Sequence, residues 1–235
     1  MNKFIPFATL FSAFFLSMVL SAALYAQNTA QDEDWARFSY YEKQNKEVKE
    51  KPVAVLFGDS ITRNWVKLDS SWLEEHNFIG RGIGGQTTMQ MLVRFRADVI
   101  ELKPEYVVIL AGINDIARNN GYIKVENIFK NIVSMVELAK VHGIKPVLCT
   151  ICPAREIGWR KQLGDPRPSI DSLNTFIRNY SEAGGIPLAD YHSAMKTDDG
   201  AMIPEYETDA VHPNIKGYKV MEMVLLETLG KKISD

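Results

Sequence analysis

Short apolar runs recur along this chain, and segments whose apolar residues fall three and four positions apart separate them. The runs are rich in β-branched and aromatic residues, which favours buried strands, and the intervening spacing is typical of helices that bury one face. The predicted strands are residues 53–57, 78–81, 106–111, 146–151 and 186–189. The predicted helices are residues 87–102, 125–142, 169–183 and 215–229.

Strand-helix alternation of this kind predicts a parallel sheet, because each helical crossover returns the chain to the same edge and covers one face. We therefore expect an α/β protein, a single-domain three-layer α/β/α sandwich of the flavodoxin-like type with about five parallel strands. The sequence has no internal repeat and no stretch that resembles an interdomain linker.

Residues 1–26 have the pattern of a secretory signal peptide, in which one lysine precedes an apolar stretch and small residues follow it. A retained membrane anchor is the alternative, but the uninterrupted apolar core is about 10–15 residues long and a spanning helix needs about 20. We expect export to the periplasm or the medium, with no stable membrane insertion after cleavage. The mature domain is predicted over 27–235, beginning with an N-terminal helical arm over 27–50 that contains a helix over 33–50.

The charge balance of the chain indicates which classes of binding partner to expect. The chain carries 27 Lys and Arg against 29 Asp and Glu, a formal net charge of −2, and its cations are scattered rather than clustered. This balance disfavours a nucleic acid or an anionic membrane surface as a partner. The oligomeric state is not predicted.

The two cysteines, Cys149 and Cys152, have a C-x-x-C spacing that raises a redox or metal role. They end a predicted strand, where an extended chain separates their Cα atoms by about 10 Å, too far for a disulfide without a sharp turn. No second Cys or His cluster is present to complete a zinc site. We expect plain sheet-edge residues, no metal and no organic cofactor.

Candidate chemistry lies at the carboxyl end of the first predicted strand, where Gly58-Asp59-Ser60 leaves a serine hydroxyl. In an open parallel sheet this edge is where ligands and catalytic groups collect. Near the C-terminus, Asp209 and His212 stand three residues apart just before a helical pattern. Together these residues supply a nucleophile, a base and an orienting carboxylate.

Two further loops follow predicted strands. Residues 82–88, Gly-Ile-Gly-Gly-Gln-Thr-Thr, free backbone N–H groups at the start of a helix, where a developing negative charge is favoured. The loop matches neither G-x-G-x-x-G nor a P-loop. In residues 111–115, Ala-Gly-Ile-Asn-Asp, the carboxamide of Asn114 is a candidate oxyanion donor.

Each motif alone has a plainer interpretation as a turn, a helix cap or a packing glycine. The four motifs fall in order at strand ends, and each supplies a different part of one acyl-transfer site. Their combination therefore favours a catalytic interpretation.

At this point the sequence resembles the SGNH hydrolases, also called the GDSL esterase/lipase family. The resemblance implies that Ser60 is the nucleophile, that Asp209 and His212 form the D-x-x-H block, and that the oxyanion hole comprises Ser60, Gly85 and Asn114. The stretch 81–88 is especially similar to the platelet-activating-factor acetylhydrolase-like branch. That branch often has Asp where Gln86 stands here, which leaves the branch-level substrate open.

The resemblance implies a secreted or periplasmic serine esterase that hydrolyses short-chain, acetyl esters through an acyl-serine, with O-acetyl groups on carbohydrates as the leading substrate. The partner is then a small-molecule or glycan ester. A lysophospholipase or thioesterase, a non-catalytic glycan-binding domain and a flavodoxin-type nucleotide binder are the alternatives. Asp59 is expected to hold the serine turn or to contact substrate. Trp159, in a loop after the fourth strand, is expected either to contact substrate or to pin that loop.

Overall fold

The computed structural model describes residues 17–18 and 34–230. The chain divides into two units, Met1–Arg37 and Phe38–Asp235. In the first, the Arg37 N–H donates to the Asp34 carbonyl oxygen (2.8 Å) to close a turn. Apart from residues 17–18, the predicted signal peptide and its cleavage point lie outside the described residues. No helix in the described part of the chain is both long enough and apolar enough to cross a membrane.

A five-stranded parallel sheet forms the centre of the second unit, in the order β2-β1-β3-β4-β5. The strands are β1 (Ala54–Gly58), β2 (Phe78–Gly82), β3 (Tyr106–Leu110), β4 (Lys145–Cys149) and β5 (Leu188–Ala189). This order is that of the flavodoxin-like doubly wound sheets, in which successive strands are added first on one side of β1 and then, from β3 onward, on the other side. The predicted fold class is confirmed.

Helices precede, connect and follow the strands. They are α1 (Glu42–Glu47), α2 (Ser60–Leu68), α3 (Ser70–Glu75), α4 (Thr88–Asp98), α5 (Ile113–Ile116), α6 (Val125–Val141), α7 (Arg167–Gly184), α8 (Tyr191–Met195) and α9 (Ile215–Thr228). Single turns of 3-10 helix occur at Phe38–Tyr40, Ile100–Leu102 and Pro204–Tyr206, and two such turns with a kink at Arg160 span Gly158–Leu163.

Alternate strand residues point to opposite sides of the sheet, and helices cover both sides, so both faces are buried. On one side, Phe57 and Ile109 pack in a core with side chains of α4, α6 and α7. On the other side, Leu56 and Val108 pack with side chains of α2, α3 and α9, including the stacked rings of Trp65. Burying each such side chain contributes about 1.5–3 kcal/mol, so these layers hold the strand ends in fixed positions.

The N-terminal helix predicted over 33–50 is shorter than expected. Arg37 has a left-handed φ of +58°, which a continuous helix cannot contain, and α1 ends where Val48 becomes extended. The short helix is nevertheless anchored to the sheet. The Tyr41 hydroxyl donates to the Gly82 carbonyl oxygen (2.6 Å), and the Asn45 amide donates to Asp98 (2.7 Å).

The helix predicted over 87–102 is interrupted. Regular α4 ends at Asp98, and a 3-10 turn over Ile100–Leu102 follows, closed by Lys103 with φ +51°. Pro104 explains why the helical segment ends at Lys103, because the residue before a proline is disfavoured in the right-handed helical conformation. The chain thereby turns into β3.

Candidate active site

The serine turn joins β1 to α2 with a single intervening residue. Strand β1 ends at Gly58 and α2 begins at Ser60, so Asp59 is the helix cap and its carboxylate accepts the Ile61 N–H (2.9 Å). Gly58 permits this sharp turn, because a Cβ there would overlap the Thr62 hydroxyl and lie 2.9 Å from the Leu110 carbonyl oxygen. Ser60 is therefore held on the first turn of a helix, where backbone N–H groups have no partner within the helix.

Ser60, His212 and Asp209 are joined by hydrogen bonds. The Ser60 Oγ lies 2.9 Å from His212 Nε2, and His212 Nδ1 lies 2.8 Å from Asp209 Oδ2. The serine hydroxyl and the imidazole come from segments 152 residues apart in sequence, and the fold brings them together at the carboxyl edge of the sheet. The arrangement is that of a serine nucleophile, a base and a carboxylate that orients the base.

The Asp209–His212 turn is built to hold that orientation. Asp209 Oδ1 accepts the backbone N–H groups of Val211 (3.3 Å) and His212 (2.8 Å) as well as facing the imidazole. Ala210 takes a left-handed φ of +64°, a strained conformation for alanine. Partial burial alone would raise the Asp209 pKa, but the backbone and ring hydrogen bonds from His212 hold that pKa below its ordinary value. The carboxylate therefore stays ionised at neutral pH.

Asn114 lies on the short helix α5 after β3. It is buried, and its Nδ2 donates to Asp59 Oδ2 (3.1 Å). Its Oδ1 accepts a hydrogen bond from Asn119 Nδ2 (2.8 Å). Both ends of the carboxamide are thus held by neighbours, which fixes its direction.

Gly85 lies in the loop between β2 and α4 with φ +80°, a left-handed conformation that favours glycine. Its carbonyl oxygen accepts a hydrogen bond from Asn119 Nδ2 (3.1 Å). The loop then enters α4 through a capping box between Thr87 and Gln90. Through Asn119, the structure brings Gly85 and Asn114 to the same place, as the sequence motifs predict.

Two carboxyl groups beneath the site are buried. Asp59 is only 1% exposed, and this burial raises its pKa to about 6, although the hydrogen bond from the Ile61 N–H acts to lower that pKa. Burial also raises the pKa of Asp115 to about 6, although Asp115 accepts hydrogen bonds from the backbone and hydroxyl of Thr88 (2.8 and 2.6 Å). Both Asp59 oxygens accept protein donors, so its geometry fits a residue that holds the serine turn.

Trp159 forms part of the rim of the site. Its indole ring is 41% exposed, and its centroid lies 6.0 Å from that of the His212 imidazole. The indole N–H donates to Asn119 Oδ1 (3.2 Å). An ion pair between Arg155 and Glu207 (3.2 Å) also joins the Trp159 loop to the segment that leads to His212. Trp159 therefore both pins its loop and presents an aromatic surface beside the imidazole.

A buried arginine supports the site from below, and no sequence motif predicts it. Arg94 donates to the carbonyl oxygens of Gly58 (2.9 Å) and Arg81 (3.0 Å), at the ends of β1 and β2. Its Nε donates to Gln86 (2.5 Å), and Asp98 (2.8 Å) balances its charge. The acceptor at position 86 is the neutral carboxamide oxygen of Gln86.

The two cysteines are buried and form no disulfide. Cys149 and Cys152 are buried free thiols, and burial raises the pKa of both, that of Cys152 to about 12. Deprotonation, which metal binding and thiol chemistry both need, is therefore unfavourable. Among the described residues, no group of three His, Cys, Asp or Glu is arranged to hold a metal ion.

The chain is similar to known proteins over most of its length. The model of the GDSL-like lipase/acylhydrolase family matches residues 56–220, a range that contains every site residue described above. A solved structure from Bacteroides fragilis NCTC 9343, assigned as an acylhydrolase, is 44% identical with a TM-score of 0.82, and the match covers 85% of this chain and 98% of that one.

Two curated relatives are more distant. The uncharacterised lipoprotein YqeF of Bacillus subtilis (strain 168) is 32% identical over 167 residues, 58% of this chain and 69% of its own length. An acetylxylan esterase of Geobacillus stearothermophilus is 24% identical over 156 residues, 65% of this chain and 71% of its own length. Together with the family match, these similarities show that the chain belongs to the GDSL-like lipase/acylhydrolase family and is a carboxylic ester hydrolase.

Proposed function

We propose that this protein is an exported serine esterase that removes short acyl groups, above all acetyl groups, from carbohydrate esters. The observation that carries the proposal is the unbroken hydrogen-bond relay from Ser60 Oγ through His212 (2.9 Å) to Asp209 (2.8 Å). A serine hydroxyl is a weak nucleophile at its ordinary pKa, and a base in hydrogen-bond contact is what activates it.

In the first half of the reaction, Ser60 Oγ attacks the ester carbonyl carbon while its proton passes to His212 Nε2. Asp209 holds the imidazole in the tautomer that can accept that proton. The negative charge on the tetrahedral oxygen is stabilised by the backbone N–H groups of Ser60 and Gly85 and by the Asn114 carboxamide. Each such donor contributes about 3–4 kcal/mol to lowering the barrier in comparable sites.

Collapse of this intermediate breaks the bond to the alcohol oxygen, which leaves with the proton from His212. The acyl group is then an ester of Ser60. A water molecule gives a proton to the same imidazole and attacks the acyl carbon. The bond from that carbon to Ser60 Oγ then breaks, Oγ takes back the proton from His212, and the acid leaves. Atoms and charges balance without a cofactor.

Two observations support a small acyl group on a carbohydrate. The half-exposed Trp159 indole stands beside the imidazole, and an exposed aromatic face is a surface on which a sugar ring can stack. The acetylxylan esterase among the relatives acts, by its name, on acetyl esters of a polysaccharide. The predicted signal peptide and the lipoprotein relative support export, where such glycans are found.

The acyl preference is tested with p-nitrophenyl acetate and p-nitrophenyl decanoate and with acetylated xylo-oligosaccharides, in wild type and in Ser60→Ala. We expect hydrolysis of the acetate, release of acetic acid from the oligosaccharides, and no turnover of the decanoate. Ser60→Ala should lose nearly all activity and remain folded. A preference for decanoate would instead indicate a lysophospholipase or thioesterase, and glycan binding without hydrolysis would indicate a non-catalytic binding domain.

A further inference from the structure

We propose that Asn119 is a positioning residue that sets the orientation of the Asn114 carboxamide and the Gly85 loop. The inference rests on the proposed function, since it concerns the site that stabilises the oxyanion. Asn119 is part of no motif in the sequence, yet its side chain contacts Gly85, Asn114 and Trp159.

The backbone places Asn119 for this task. Two residues after the end of helix α5, Arg118 has a left-handed conformation (φ +56°). The Arg118 N–H donates to the Asp115 carbonyl oxygen (2.9 Å), and the Asn119 N–H donates to the Asn114 carbonyl oxygen (3.0 Å). These are the two hydrogen bonds of a Schellman motif, which folds the chain back over the last turn of a helix. The side chain of Asn119 is thereby returned to that of Asn114, five positions earlier.

The hydrogen-bonding capacity of Asn119 is well matched to its neighbours. An amide Nδ2 has two hydrogens, and its two acceptors here are Asn114 Oδ1 (2.8 Å) and the Gly85 carbonyl oxygen (3.1 Å). The Oδ1 atom of Asn119 accepts the Trp159 indole N–H (3.2 Å). A flipped Asn119 amide would face all three partners with the wrong atom, so a single orientation is favoured.

The orientation of Asn114 follows from that of Asn119. Asn114 Oδ1 is taken by Asn119, and one Nδ2 hydrogen is directed to Asp59 Oδ2 (3.1 Å). One Nδ2 hydrogen remains to serve an oxyanion. If the carboxamide flipped, its oxygen would face the Asp59 carboxylate and its NH₂ would face the NH₂ of Asn119. Together with Asp59, Asn119 therefore favours the orientation in which an Asn114 Nδ2 hydrogen faces the oxyanion position.

Asn119→Asp distinguishes a positioning role from a merely structural one, because it reverses the direction of the hydrogen bonds at nearly constant side-chain size. The new carboxylate cannot donate to Asn114 Oδ1 and instead attracts the Asn114 NH₂, which turns the carboxamide oxygen toward the oxyanion position. We expect kcat for p-nitrophenyl acetate to fall about 100- to 1,000-fold, as for loss of one oxyanion donor. KM should change less than about threefold. Asn119→Ala, which removes the anchor without attracting the NH₂, should lose about tenfold.

Asn120→Asp is the matched control. Asn120 is the adjacent residue and is exposed, and its amide donates to Thr87 Oγ1 (3.0 Å) and Gln90 Oε1 (2.7 Å) rather than to the oxyanion residues. We expect its kcat to stay within about twofold of wild type. Thermal unfolding of all variants checks that a loss of rate is not a loss of fold.

A double-mutant cycle with Asn114→Ala gives the decisive result. If Asn119 acts through Asn114, Asn119→Asp should reduce kcat by less than about threefold in the Asn114→Ala background. The same fold-loss in both backgrounds, or an Asn119→Asp enzyme as fast as Asn120→Asp, would overturn the inference while leaving the proposed function intact. A folded wild type that neither hydrolyses the acetate nor reacts with a fluorophosphonate would overturn the proposed function and this inference with it.

Discussion

Asp209 performs two tasks with one carboxylate, since it closes its own turn through the His212 backbone N–H (2.8 Å) and orients the His212 ring (2.8 Å). Asp209→Asn separates the two. The amide oxygen can keep the backbone bonds, but the amide nitrogen then donates to Nδ1 and forces the ring proton onto Nε2. That tautomer cannot accept the Ser60 proton, so we expect kcat to fall by about 10⁴ with the fold retained.

The comparison is made from initial rates of p-nitrophenyl acetate hydrolysis and from circular dichroism of the same preparations. A folded Asp209→Asn enzyme within tenfold of wild type would show that the carboxylate does not set the tautomer.

Residue types and order along the chain were enough to predict Ser60, Asp209 and His212, because a nucleophile, a base and an acid are chemically distinctive. The structure joins them by hydrogen bonds, while their catalytic roles remain proposals. The position of Asn119 was not predictable, because the sequence Asn-Asn-Gly is typical of any turn. Its relation to Gly85 and Asn114 exists only once the left-handed Arg118 folds the chain back.

At the scale of elements, Arg94 on α4 joins the carboxyl ends of two neighbouring strands to one helix. Arg94→Met would leave the carbonyl oxygens of Gly58 and Arg81 without this donor and Asp98 without its cation. Removing one partner of a buried ion pair costs about 3–5 kcal/mol. We therefore expect the free energy of unfolding in urea to fall by that amount.

Arg96→Met is the control for this prediction, because Arg96 lies two residues away on the same helix and is exposed. Its free energy of unfolding should stay within about 0.5 kcal/mol of wild type. Equal stability of the two variants would mean that Arg94 does not support the strand ends.

Element boundaries were predictable where one physical signal dominates. The apolar spacing over 125–142 and 215–229 gave α6 and α9 to within a residue, because each helix buries a continuous stripe. Helices α2, α3, α5 and α8 were not predicted, and for α5 and α8 the reason is that four or five residues show no period. The N-terminal helix was predicted too long, because composition alone does not reveal the left-handed Arg37.

At the scale of the whole molecule, stability should depend on the buried carboxyl groups. Burial raises the pKa of Asp115 to about 6, whereas an unfolded aspartate titrates near 4. The folded state then binds more protons than the unfolded state between these values, so this group's contribution to stability falls as pH rises from about 4 to about 6. A two-unit shift corresponds to about 2–3 kcal/mol.

Asp115→Asn removes that titration. We expect the difference in unfolding free energy, wild type minus variant, to decrease as pH rises through this window and to be constant above it. Urea unfolding at half-unit steps from pH 4 to pH 8 measures it. Parallel profiles would mean that Asp115 keeps an ordinary pKa in the folded protein.

The fold itself was the most predictable level, because alternation of strands and helices leaves few ways to bury both faces of a sheet. The ester that the protein hydrolyses is the least predictable, because no simple sequence rule relates the residues around a site to its substrate.

If the fold activates Ser60 as a nucleophile, a reagent that modifies activated serines should react with Ser60. The purified domain is incubated with a fluorophosphonate probe, and the modified peptide is identified by mass spectrometry in wild type and in His212→Ala. We predict modification at Ser60 alone in wild type and its near-complete loss in His212→Ala. A folded wild-type protein that remains unlabelled, or that is labelled equally without the imidazole, would contradict the account.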